Sequence, residues 1–213
     1  MEGDCAPPID KMMLRAVQRA PPGFYFLAEA VSAAEHDALV AEASAKLSRL
    51  QVTPDHFDHV ISRYRESIAP AKDWNAANRD TLSRLRAIVE RDCGHAISRK
   101  PVEWMEPHII ELEADKGAIG PHVDSVKHGG DVVAALSLLS TRQVTLDSLP
   151  DAFAIDLPPR SLYVLSGHAR YELKHAISNG PARRLSLVLR DEPQPPPWML
   201  AARAKLQQSR RAV

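Results

Sequence analysis

From about Pro107 the apolar residues of this chain recur with a period of two, and that pattern restricts the fold more than any other feature. Side chains two apart on a strand point to the same face. Ile110 and Leu112 alternate with polar neighbours, Val132 to Leu139 is almost wholly apolar, and Val144 and Leu146 alternate again. Phe153, Ile155 and Leu157 repeat the pattern, and Ser161 to Leu165 reads as a strand after the Pro158-Pro159 turn. Tyr171, Leu173, His175 and Ile177 are expected on one face of the next strand, and Leu185, Leu187 and Leu189 on one face of the last. Many short strands with turn signals between them predict a sandwich or jelly-roll.

Upstream the period is helical. Ser32 followed by Glu35 makes a capping box, which predicts a helix with Leu39, Ala43, Leu47 and Leu50 inward. A polar loop with Pro54 follows, then a second helix from about Asn75 to Asp92, with Leu82, Leu85 and Val89 buried and Gly94 as its stop. The expected class is α+β with a mainly β core and the two helices packed on one sheet. One domain is expected over 22–192, with a helical front segment at 22–106 and the β core at 107–192. Residues 1–21 read as a flexible leader closed by Pro21-Pro22-Gly23, and 193–213 as a Pro-rich, basic tail.

A chain of 213 residues suffices for one well-buried domain. Lys+Arg and Asp+Glu are each 27, a balance that argues against strong non-specific binding to nucleic acid. Cys5 and Cys93 lack metal-ligand spacing and read as free thiols of a reducing compartment. No apolar run reaches membrane-spanning length, so no membrane partner is expected. The stretch Lys11 to Arg19 is basic and has targeting character, whereas Glu2, Asp4 and Asp10 are unlike a transit peptide.

The chemistry concentrates in a few widely spaced residues. His122 and Asp124, two apart, can address one ion from one strand end, and His175 can close the set from a distant strand. Two imidazoles and one carboxylate with open positions are the usual ligands of non-haem Fe(II) oxygenases. Arg184 and Arg190 share a face of the last strand with Ser186 and Val188, opposite the leucines. An arginine there can pair bidentately with the distal carboxylate of a small dicarboxylate, with Tyr163 donating a hydrogen bond to the same group.

Each element alone is weak. Nine His and fifteen Asp yield about 0.6 His-x-Asp triplets by chance. A second triplet, His56-Phe57-Asp58, reads as surface or helix-start polarity. A lone His175 is more often a core histidine, and a lone arginine pair is more often a solvated face. The ordered combination on expected strands carries the reading. A zinc hydrolase, which does not explain the paired arginines, and a non-catalytic, metal-bound interaction protein, a role the prolines and basic tail could serve, remain open.

The segments G-A-I-G-P-H-V-D-S-V-K, A-A-L-S-L-L-S, S-L-Y-V-L-S-G-H-A-R-Y-E-L-K-H and R-R-L-S-L-V-L-R resemble the AlkB-type Fe(II)/2-oxoglutarate dioxygenases over residues 20–192. Asp55 to Asp58 and Arg65-Glu66-Ser67 are similar to a segment of the family's mitochondrial branch, which implies a mitochondrial location. The resemblance implies a double-stranded β-helix, Fe(II) at His122, Asp124 and His175, and 2-oxoglutarate held by Arg184 with Arg190 and Tyr163 nearby. It also implies a reaction with O2 that splits 2-oxoglutarate into succinate and CO2 and oxidises a C–H bond. Nucleic-acid repair members carry Asn where this chain has Ser186, and they have a basic, aromatic lid before the core. Residues 22–106 hold eleven Lys/Arg against thirteen Asp/Glu, so no basic excess tracks a phosphate backbone. The aromatics of that region, such as Trp74 and Trp104, read as core packing. A monomer acting on a protein side chain is expected, with methylated RNA such as an organellar tRNA as the alternative and no duplex DNA expected.

Overall fold

A computed structural model of the chain describes residues 12–147 and 151–193. Its elements in chain order begin with β1 (Arg15–Ala16), β2 (Phe24–Leu27), α1 (Ala33–Leu47), β3 (Thr53–Asp55), β4 (Ile61–Ile68) and α2 (Ala76–Cys93). They continue with β5 (His108–Leu112), β6 (Ala118–His122), β7 (Val132–Leu138), β8 (Arg142–Leu146), β9 (Phe153–Leu157), β10 (Leu162–Ser166), α3 (Gly167–Tyr171), β11 (His175–Ile177) and β12 (Arg184–Arg190). The strands form one sheet in the order β1-β2-β10-β7-β12-β5-β4-β6-β11-β8-β9, with β3 on β4. Every pairing is antiparallel.

The sheet curls on itself. Val133, Ala135, Tyr163, Leu165 and Val188 of one layer meet Val144, Leu146, Leu157 and Ile177 of the other in a single interior cluster. This is the expected jelly-roll. On the outer face of the first layer, Leu39, Ala43 and Leu47 of α1 and Leu82, Leu85, Ile88 and Val89 of α2 pack on Leu136, Leu185, Leu187 and Leu189. Strand β12 therefore sends its leucines to the helices and Arg184, Ser186, Val188 and Arg190 toward the interior, as its alternation predicts.

Both helix starts are built as the sequence implies. Ser32 and Glu35 make the reciprocal capping box, and Asn75 caps α2 through Asn78 N. The buried faces follow the expected residues except Leu50, which lies beyond the end of α1 and is 40% exposed.

Several expectations need correction. The front segment is not only helical, since β2, β3 and β4 lie in it and β4 pairs with both β5 and β6. Pro54 is in β3, not a loop. In β4 both faces are polar, so no apolar alternation marks it. Arg63 and Arg65 pair outward with Glu113 and Glu111, while Tyr64 and Glu66 lie on the other face. His56-Phe57-Asp58 sits in the β3–β4 turn and not at a helix start. Residues 12–20 are not loose. Met12 and Leu14 are buried, and Leu14 N donates to Asp92 Oδ2 at 2.8 Å. Tyr171 and Leu173 are not on a strand with His175, because Gly167–Tyr171 is a short helix and β11 begins at His175. That helix abuts Gly23, where a Cβ would lie 2.0 Å from Ser166 O, so only glycine fits. Cys93 is a buried free thiol. The tail from 194, residues 1–11 and Cys5 lie outside the described residues.

Candidate metal centre

His122 ends β6, and His175 begins β11 directly opposite, so sheet register brings the two imidazoles to 4.3 Å between ring centroids. Asp124 lies two residues past the end of β6, in the connection to β7, and not on the strand as its i+2 spacing suggested. Its carboxylate still meets the rings, with Oδ1 3.8 Å from His122 Nε2 and Oδ2 3.4 Å from His175 Nε2. Donor atoms of all three lie within 4.8 Å of one another.

The hydrogen bonds select the free nitrogen. His122 Nδ1 donates to the Gly120 carbonyl at 2.9 Å, which leaves Nε2 facing the carboxylate. Asp124 Oδ2 is buried without a hydrogen-bond partner. A buried carboxylate oxygen with no donor is costly unless a cation meets it. Burial opposes charge on Asp124, but the His122 hydrogen bond and the Arg190 charge hold its carboxyl well below the usual range. Burial, helped by the neighbouring positive charges, pushes His175 down to about 4, so this ring is a neutral donor at ordinary pH. Burial also disfavours charge on His122, yet the Asp124 carboxylate and the Gly120 carbonyl outweigh it and raise that ring's pKa. Two neutral-capable imidazole nitrogens and one carboxylate fit a divalent iron with open positions.

The arginines lie in the same interior. Arg184 is 1% exposed, and its Nη1 donates to Ser186 Oγ at 3.1 Å while Nε and Nη2 have no partner. Tyr163 is buried close enough for the Arg184 charge to offset part of the rise that burial imposes on its hydroxyl. An unpaired buried guanidinium beside a tyrosine fits an incoming carboxylate. Arg190 stands at the metal end of the strand, with Nη2 3.5 Å from Asp124 Oδ1. All six expected site residues thus face one interior.

Sequence reading missed three residues here. His108 and Glu66 join Arg190 through hydrogen bonds of 3.3 Å and 2.9 Å. The signal for His108 was its place two residues before Ile110, on the face shared with Leu112. Arg170, on α3, donates to the Asp124 carbonyl at 2.7 Å and was hidden by the strand expected there.

Comparison with known proteins agrees with this geometry. No family model matches the chain. The cattle protein named alpha-ketoglutarate-dependent dioxygenase alkB homolog 7, mitochondrial, is 31% identical over 208 residues, covering 91% of this chain and 86% of its own. The mouse protein of the same name is 33% identical over 187 residues, covering 81% and 77%. Among solved structures, a Pseudomonas putida prolyl-4-hydroxylase aligns with a TM-score of 0.63 at 15% identity, over 81% of this chain and 94% of that one. The structure of OsALKBH1 aligns with a TM-score of 0.58 at 16% identity, over 83% and 99%. The fold and the site define a 2-oxoglutarate-dependent dioxygenase, an oxidoreductase that uses Fe(II) and takes 2-oxoglutarate and O2 as cosubstrates. Within that class the chain belongs to the AlkB family, and its curated relatives are homolog 7 proteins.

Proposed function

We propose that this dioxygenase hydroxylates a protein side chain, with His122 Nε2, Asp124 and His175 Nε2 holding Fe(II) and Arg184, Tyr163 and Arg190 holding 2-oxoglutarate. The observation that carries the site assignment is the Arg184 guanidinium, buried with two unpartnered nitrogens in the interior that also holds the triad. The bound iron supplies the oxidation of a substrate C–H bond, with succinate and CO2 as co-products. Ser186 orients Arg184 from one side, which leaves its remaining donors for the distal carboxylate. Arg190, beside Asp124, offers its charge to the end of the cosubstrate nearest the metal. The apolar interior around Ile110, Leu112 and Leu165 excludes water from both ends.

The substrate reading rests on charge. Near the metal, β4 presents Glu66, whose carboxyl is held below its ordinary value by the His108 hydrogen bond against the opposing effect of burial. Asp55 and Asp58 flank the β3–β4 turn of the same hairpin, and Phe57 at its tip is 86% exposed. An acidic, aromatic rim favours a peptide over a phosphate backbone. One fold neighbour, a prolyl hydroxylase from Trichoplax adhaerens, is described in complex with a peptide fragment. The names of the relatives favour a mitochondrial location, and no described helix is long and apolar enough to cross a membrane.

The test is to incubate the protein with Fe(II), 2-oxoglutarate and either small RNA or a protein extract, beside a His122→Ala control. New peptide hydroxylation with unchanged nucleosides is expected. Enzyme-dependent loss of a methylated nucleoside would replace the protein reading with RNA demethylation.

A further inference from the structure

Two of the three proposed ligands are fixed by sheet pairing and the third is not. His122 and His175 are cross-strand partners, so backbone register sets their separation. Asp124 lies past the end of β6, in a connection where Val123 is 37% and Val126 61% exposed. Exposed connections of this kind open easily unless something anchors them. The anchor at Asp124 comes from Arg170.

Arg170 sits on α3, five residues before His175, and its side chain is 1% exposed. Its guanidinium donates to three main-chain carbonyls, those of Asp124 at 2.7 Å, Gly129 at 3.3 Å and Ser125 at 3.5 Å. The planar fork spans carbonyls that a point charge cannot reach together. A buried cation is an expensive way to fill space, and an apolar side chain of the same volume would pack there at less cost. Its contacts give the reason for keeping it: one end of α3 leads directly to one ligand, and its arginine grips the backbone of another. The helix itself is tied down, since Ala169 N donates to Pro22 O at 3.1 Å and Ser166 N to Gly23 O at 2.8 Å.

We infer that Arg170 is a positioning residue of the metal centre, which holds Asp124 at ligating distance from His175 before any metal arrives. The inference rests on the triad being the metal site. It goes beyond the ligand set, because Arg170 is not one of the three proposed ligands and grips the connection through the carbonyls of Asp124, Ser125 and Gly129.

The experiment is a Co(II) titration of anaerobic, metal-free full-length protein, read by visible absorption and without turnover. Arg170→Met is expected to weaken Co(II) binding on the order of 10-fold, the range seen when groups that orient ligands are removed, and to broaden the Co(II) bands. Arg170→Lys keeps the stem and the charge, so it folds even where the Met variant does not, and it is expected to fall between Met and wild type. Tyr171→Phe serves as the control for loop stability alone. It removes the 2.6 Å hydrogen bond to Asp131 Oδ1 at the far end of the same connection and is expected to leave Co(II) affinity unchanged. Wild-type affinity and spectrum in the folded Arg170 variants would overturn the inference. An equal loss in Tyr171→Phe would also overturn it, by showing a general loosening of the loop. His175→Ala separates the two readings: if it too binds Co(II) normally, the triad assignment fails, and if only it loses binding, Arg170 alone is wrongly assigned.

Discussion

Arg190 Nη1 lies 3.3 Å from His108 Nδ1. A guanidinium can only donate, so Nδ1 accepts and the ring hydrogen sits on Nε2, 2.9 Å from Glu66 Oε2. The tautomer of His108 is therefore set from both sides, and Arg190 is held against Asp124 by a chain that begins at Glu66. His108→Leu should weaken 2-oxoglutarate binding about 10-fold, from the loss of one hydrogen bond to a charged group. Calorimetric titration of anaerobic Mn(II)-loaded protein measures this, and metal content should not change.

Arg184→Met should be more severe. It removes the buried charge proposed to face the distal carboxylate, and a charge-assisted pair of that kind contributes about 3 kcal/mol, or roughly 100-fold in affinity. Arg184→Lys should recover little, since a point charge does not reproduce the fork. Unchanged 2-oxoglutarate dependence in either variant would move the carboxylate site elsewhere.

Metal should stabilise the fold through the triad. A ligand at 100 times its Kd adds about 2.7 kcal/mol to a protein that binds it only when folded. Mn(II) should therefore raise the melting temperature of the wild type and leave that of His175→Ala unmoved. A matching rise in the variant would mean that the ion binds at another place.

Glu66 gives the acid limb of stability a specific origin. Its native carboxyl is held below the ordinary value of 4.5, by the His108 hydrogen bond first, with burial opposing and the nearby Arg190 charge adding to the shift. A depressed carboxyl stabilises the native state above its unfolded value and loses that contribution as pH falls through the native value. Urea midpoints of wild type and Glu66→Gln should therefore converge below pH 4.5. A constant gap between them down to the acid transition would exclude the carboxylate as its source.

The outer face of β12 is core. Leu187 is fully buried between β7, β5 and the helices, and Leu187→Ala should cost about 2–5 kcal/mol, read from chemical denaturation. The loss should leave 2-oxoglutarate affinity of the folded fraction intact, because the arginines face the other way.

The parts legible in the sequence were those where one face is apolar. The alternation of Leu185, Leu187 and Leu189 fixed both the strand and the direction of Arg184 and Arg190. The capping box at Ser32 and Glu35 marked the start of α1 to the residue. Strand β4 escaped because neither of its faces is apolar, one carrying arginines paired to Glu111 and Glu113 and the other lining the interior with Tyr64 and Glu66. Arg170 escaped for a different reason. Tyr171, Leu173, His175 and Ile177 obey a period of two by coincidence, and the five-residue α3 that breaks it is held by contacts to Pro22 and Gly23 far upstream. The three proposed ligands were picked out by type and order, while the loop position of Asp124 was not.

Asp191, next after the last residue of β12, accepts from Val132 N at 2.8 Å and Asp131 N at 3.0 Å. It pins the strand to its neighbour at one end. With that end fixed, deleting or inserting a single residue between Arg184 and Arg190 would turn the leucines before the change into the interior and the Arg184 guanidinium into the helix layer at once. Core and proposed cosubstrate grip are then inherited together: this strand can change its letters one at a time, but it cannot change its length.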